Sequence, residues 1–124
     1  MPEPSAIRDT VASYLKAVAT GSAADVAALY AEDATLEDPV GSDPVRGRAG
    51  ITEFYSALED MRQETELLAV RVAGDSAAFH FRVRTETPDG AAEIEPIDVM
   101  TFDEAARITS MRAFWSPEDV RSTS

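Results

Sequence analysis

Apolar residues recur at helical spacing in the first third of the chain. Ile7, Val11, Tyr14 and Val18 fall at i, i+4, i+7 and i+11, one stripe of an α-helix. Ser5 is its predicted N-cap and Gly21 its predicted stop. Ser22 starts a shorter second helix, with Asp25 three residues on as a capping-box partner. Val26, Leu29 and Tyr30 form its inward side. The stretch ATLED, residues 34–38, reads as a short strand that ends at Pro39 and a loop rich in Gly and Pro. Ile51, Phe54, Tyr55 and Leu58 then share one face of a third helix.

Downstream the period changes to two. ETELLAVRVAG (64–74) is one predicted strand. SAAFHFRVRTET (76–87) is the clearest, with Phe79, Phe81 and Val83 alternating against His80, Arg82 and Arg84. TPDG (87–90) is a turn. AAEIEPIDVMTFDE (91–104) and RITSMRAFWS (107–116) complete a meander, and the tail PEDVRSTS is expected to be loose. Three helices followed by a mostly antiparallel sheet predict one α+β domain over residues 1–124. A strongly curved sheet wrapping the helices would leave a pocket between the layers.

Composition narrows the class. At 124 residues the chain suits a single domain that buries roughly 65% of its unfolded surface. Its net charge of −12 repels phosphate backbones and acidic membrane surfaces, and leaves small neutral or apolar ligands open. The lack of cysteine removes disulfides, thiol catalysis and thiolate metal sites. No apolar run approaches a membrane span. The opening MPEPSAIRDTVASYLKAVA has no basic segment followed by an apolar core, so a cytoplasmic location is expected. There is no P-loop, dinucleotide fingerprint or nucleophile elbow, and no cluster with metal-ligand spacing. Neither a metal nor a cofactor is expected.

Five carboxylates stand between Tyr30 and Arg48. Glu32 and Asp33 fall in an expected turn after the second helix, and Asp43 before Pro44 reads as turn chemistry. In the strand, Leu36 and Asp38 share one face, Thr35 and Glu37 the other. If Leu36 faces the core, Asp38 does too; it is either functional or the cap of a nearby turn. Asp98 shares a strand face with Ile94, Met100 and Phe102. There it is either buried and protonated, or an edge carboxylate reaching water. Tyr14, Tyr30 and Tyr55 each fall on the inward stripe of a helix, so their hydroxyls either converge or find separate backbone carbonyls. His80, the only histidine, is read as partly exposed.

The combination of Tyr14, Asp38 before Pro39, and Asp98 in IDVMTF, with Tyr30 and Tyr55 also present, resembles the bacterial Δ5-3-ketosteroid isomerases. These lie within the cone-shaped NTF2-like or SnoaL-like domains. The likeness runs from YLKAVATGSAADVAALYAEDATLEDPVG through GRAGITEFY to PIDVMTFDE and ITSMRAFWS; DMRQETELLAVRVAGDSAA is the least similar stretch. The resemblance implies Asp38 as the base that carries a proton from C4 to C6 of a neutral ketosteroid. It implies Tyr14 and protonated Asp98 as donors to the C3 oxygen, with Tyr30 and Tyr55 supporting Tyr14. It implies Phe54, Phe81, Met111 and Trp115 as pocket walls, and a homodimer packed through the sheet. Two other readings stay open. One is another enzyme on the same cone, a polyketide cyclase or an epoxide hydrolase; the latter needs an inward arginine, whereas Arg82 and Arg84 face outward by alternation. The other is a domain that binds a small molecule without catalysis.

Overall fold

A computed structural model describes residues 2–123; Met1 and Ser124, the ends of the expected domain, lie outside the described residues. Helix α1 spans Pro4–Thr20. It starts two residues earlier than predicted, because Pro4 takes the first helical position, where its fixed φ fits and no N–H is needed. Glu3 is therefore the N-cap, and Ser5 lies inside the helix. Gly21 ends it, donating its N–H to the Ala17 carbonyl at 2.8 Å. A Cβ at this position would stand only 2.9 Å from that oxygen. Helix α2, Ala23–Ala27, has the predicted capping box: Ser22 Oγ accepts from Asp25 N, and Asp25 Oδ2 accepts from Ser22 N.

Tyr30 is not on α2. It is the first residue of strand β1, Tyr30–Glu37, which is longer than the predicted ATLED strand. Pairing with Ile108 draws the chain into the sheet here, and the Leu29 carbonyl already accepts from Ile108 N at 2.9 Å. Glu32 and Asp33 consequently sit within β1 rather than in a turn, and both are exposed. Strand β2, Val45–Arg46, leads into α3, Gly47–Ser56; Leu58 follows α3 in a turn.

The remaining strands are β3 (Gln63–Ala73), β4 (Ser76–Thr87), β5 (Gly90–Ile94), β6 (Ile97–Phe102), β7 (Ile108–Phe114) and β8 (Arg121–Thr123). The sheet order is β2-β1-β7-β6-β4-β5-β8, with β3 on the other edge of β4. Among the strands of the described residues, only β1 and β7 pair in parallel. The predicted continuous strand 91–104 is broken at Glu95–Pro96, where proline cannot donate to a ladder. The near half of β4 therefore pairs with β6 and its far half with β5. Register shifts in β1, β3 and β7 add bends that let the sheet curl round the helices. The C-terminal segment is not loose. A 3₁₀ turn at Pro117–Asp119 returns the chain, and β8 pairs with β5 as an edge strand.

The core forms between the helical stripe and the concave sheet face. Ile7, Val11, Tyr14 and Leu15 of α1 and Ile51 and Tyr55 of α3 meet Leu36, Phe79, Met100, Ile108 and Met111. Thr65 Oγ1 of β3 donates to the Leu15 carbonyl at 2.9 Å and ties α1 to the sheet. No helix among the described residues is long and apolar enough to cross a membrane.

Candidate active site

The helices do not fill the concave face completely. A cavity of about 240 Å³ remains, reached by Tyr14, Asp38, Tyr55 and Asp98 and walled mainly by apolar side chains that include Phe81, Val83, Ala113 and Trp115. Four elements deliver the four polar groups. Tyr14 comes from α1, Tyr55 from α3, Asp38 from the end of β1 and Asp98 from β6.

Asp98 sits in an apolar strand in step with Met100 and Phe102. All three are buried, while Ile97 on the opposite face is 48% exposed. The side chain of Asp98 is 1% exposed, and its Oδ1 has no hydrogen-bond partner. This excludes the edge carboxylate that reaches water. An unpaired buried carboxylate is costly, so burial pushes its pKa well above the ordinary value; the negative charge of Asp38 pushes in the same direction. Burial therefore favours the neutral form of Asp98, which carries one O–H donor.

Asp38 follows Leu36 inward, as alternation predicts, and is half-buried beside the Asp38–Pro39 bond. The Trp115 indole Nε1 donates to its Oδ1 at 2.7 Å. Burial raises the Asp38 pKa from the usual value, and the Trp115 bond opposes that rise. The other four carboxylates of the segment are not in the cavity. Glu32, Asp33 and Asp43 are exposed, and Glu37 is held below the usual range by the Gly41 amide and by Arg112.

The three tyrosine hydroxyls converge. Tyr55 Oη lies 2.8 Å from Tyr30 Oη and 3.1 Å from Tyr14 Oη. Burial, the leading cause, raises all three phenols well above their ordinary pKa and keeps them protonated. Tyr55 is thus the middle of a hydrogen-bonded chain, and both Tyr14 and Tyr55 line the cavity together with Asp98. Tyr55→Phe removes both bonds and strands the Tyr30 hydroxyl in the core. A loss of about 1–3 kcal/mol is expected in denaturant unfolding; a change below a few tenths would show that the hydrogen-bonded chain is energetically idle.

Two expected wall residues do not line the cavity. Met111 is 1% exposed within the core, and Phe54 packs edge-on against Tyr55 while facing an outer groove with Val45, Gly50 and Glu53. Both are on the inward side of their elements, but they fill the layer behind the cavity. Phe81 and Trp115 do line it. Val18, Leu58, Gln63, Thr85, Ile94 and Val120 line it too and were not among the expected walls. His80 lies outside, 3.0 Å from Glu95.

Comparisons with known proteins identify the family and the fold. A family model described as the SnoaL-like domain matches residues 11–111. A steroid Delta-isomerase of Nocardioides simplex is 61% identical over 114 residues, which cover 92% of this chain and 93% of that protein. The solved structure of SalBIII, an epoxide hydrolase/cyclase-like enzyme in pyran ring formation, superposes with a TM-score of 0.89 at 28% identity, over 97% of this chain and 98% of its own. RV0760c from Mycobacterium tuberculosis superposes with a TM-score of 0.87 at 18% identity, over 98% of both chains, and shares the fold. By sequence and by architecture, the chain belongs to the SnoaL-like domain family, with its NTF2-like curved sheet and packed helices.

Proposed function

We propose that this protein is a steroid Δ-isomerase that converts Δ5-3-ketosteroids to their conjugated Δ4 isomers. The observation that carries this reading is one apolar cavity lined by two carboxyls in unlike environments, a half-buried Asp38 that accepts from Trp115 and a fully buried Asp98 whose pKa burial raises well above the ordinary value. The 61% identity to a steroid Delta-isomerase supports it.

The chemistry follows from the positions. The Asp38 carboxylate takes a proton from C4, and the C4–H electron pair becomes the new double bond to C3 as charge moves onto the C3 oxygen. Tyr14 and Asp98 donate hydrogen bonds to that oxygen, where negative charge develops. Asp38 then returns its proton to C6 while the conjugated enone forms. Nothing is oxidised or lost, and the proton never needs to leave the cavity. Apolar walls suit a neutral, greasy substrate.

Mixing the protein with a Δ5-3-ketosteroid and following the absorbance of the conjugated enone tests the proposal. Fast, saturable conversion supports it; a folded protein that binds the steroid but does not convert it overturns it. The pH profile gives a second check. Burial raises Asp38, so kcat/KM should climb with pH through a midpoint above the ordinary Asp value of about 3.9. A flat profile from pH 3 to 7 would remove Asp38 from the role of base.

The likeness to SalBIII raises epoxide opening as a second activity. That chemistry needs an inward arginine, and no arginine is among the residues lining the cavity. Arg82 pairs with Glu66 at 2.8 Å, and Arg84 pairs with Glu93 at 3.3 Å; Glu93 lines the cavity, but neither arginine does. A pure binding role is disfavoured because burying Asp98 costs stability that binding alone does not require. The homodimer belongs to the same proposal. Ile97 and Phe114, opposite each other on β6 and β7, are 48% and 43% exposed and form an apolar outer face for it. Sedimentation equilibrium should give twice the chain mass; a monomer at micromolar concentration would exclude the dimer.

A further inference from the structure

The cavity is longer than its catalytic end. Asp98 stands opposite Phe79 of β4. The inward face of β4 continues from there through Phe81 and Val83 to Thr85, and all three line the cavity. Six residue steps lead along the strand from Phe79 to Thr85, a contour on the order of 20 Å before curvature shortens it. The walls between are mainly apolar and include Ile94, Pro96 and Val120; the charged Glu93, paired with Arg84, lines them too.

At the far end polar groups return. Gln63 of β3 pairs in register with Thr85, and both line the cavity, each partly buried. Gln63 Nε2 donates to Thr85 Oγ1 at 3.0 Å. That bond uses the threonine oxygen as acceptor and leaves its O–H as a donor, while the glutamine Oε1 remains an acceptor. Among the described residues, neither side chain makes another side-chain hydrogen bond. A wholly apolar ligand would cover these groups and leave them unpaired, which costs affinity.

Resting on the isomerase reading, we infer that Gln63 and Thr85 form a specificity-determining pair for a second oxygen, carried by the steroid at the end remote from its reacting enone. A ketone at carbon 17 accepts from the Thr85 hydroxyl, and a 17-hydroxyl additionally donates to Gln63 Oε1. The preferred substrates are therefore steroids oxygenated at both ends, and the pair sets KM rather than the rate of proton transfer.

The test uses product ketones, which bind without turning over. Two Δ4-3-ketosteroids, one with a 17-ketone and one without oxygen at carbon 17, are titrated against the fluorescence of Trp115, the only tryptophan of the chain and a cavity wall. Thr85→Val should shift the ratio of the two Kd values by about 3–10-fold against the 17-ketone, the range of one hydrogen bond. Thr85→Ser, which keeps the hydroxyl, should restore the wild-type ratio. Gln63→Leu should mainly weaken binding of a 17-hydroxy ligand. Equal shifts for both ligands in Thr85→Val, or a ratio that Thr85→Ser fails to restore, overturn the inference. The two proposals fail separately: discrimination lost in Thr85→Val in a protein that isomerises nothing sinks the isomerase and keeps the pair, whereas active protein with equal shifts sinks only the pair.

Discussion

Asp38→Asn lowers kcat/KM for a Δ5-3-ketosteroid by about 10²–10⁴-fold, the usual contribution of a positioned base. The substitution removes the ability to accept a proton and little else. The amide oxygen of Asn can still accept from Trp115 Nε1, now 2.7 Å from Asp38 Oδ1. Asp38 is only half-buried, so the swap opens no core void. Its raised pKa also fixes the direction of the stability change. A carboxyl raised in the fold is penalised once pH exceeds its unfolded value, so the Asn variant should be no less stable than wild type at pH 7. Enone absorbance and denaturant unfolding on the same preparations measure both quantities. A loss of less than tenfold in a folded variant would assign the proton transfer to another group.

The second large effect lies at Asp98. Asp98→Ala removes a donor to the developing enolate and should lower kcat by about 10²–10³-fold. Asp98→Asn keeps an N–H donor of similar shape and should lose less. Stability responds in the other direction. In the fold Asp98 holds its proton well above the ordinary carboxyl range, because it is buried and lies near Asp38. In the unfolded chain it ionises near pH 3.9. Between those two values the folded form binds more protons, so wild-type stability falls as pH rises. Asn does not titrate, and Asp98→Asn should therefore gain more stability over wild type at pH 8 than at pH 4. Equal differences in unfolding midpoint at both pH values would mean that Asp98 is ionised in the fold.

Local periodicity made part of the site legible. Asp98 stood out because a strict alternation put one carboxyl in a row of apolar side chains, and the sheet preserved that alternation. Tyr14 and Tyr55 were readable from the helical stripes of α1 and α3. Tyr30 reached the predicted cluster by another route, as the first residue of β1, because sheet pairing overrode a weak helix end. The bond from Trp115 to Asp38 was not legible. It joins residues 77 apart, brought together by the parallel pairing of β1 with β7, and no local pattern encodes that. Periodicity also gave inwardness without depth: Phe54 shares the apolar stripe of its helix, and Met111 was expected as a wall from the resemblance, yet neither lines the cavity. The return of the C-terminus onto β5, which brings Val120 to the cavity, is likewise a matter of long-range pairing.

Pairing an ionised Asp38 with a neutral Asp98, as the proposed reaction does, has an electrical consequence. In the proposed reaction the cavity contains one negative charge at every stage. It begins on Asp38, passes to the steroid oxygen as Asp38 becomes neutral, and comes back. The total never changes; only its location shifts, by the length of one ring. The uniform part of the field from a chain of net charge −12 then acts almost equally on the resting and the high-energy state. A strongly acidic exterior, chosen for solubility, can thus surround an anionic intermediate without opposing its formation.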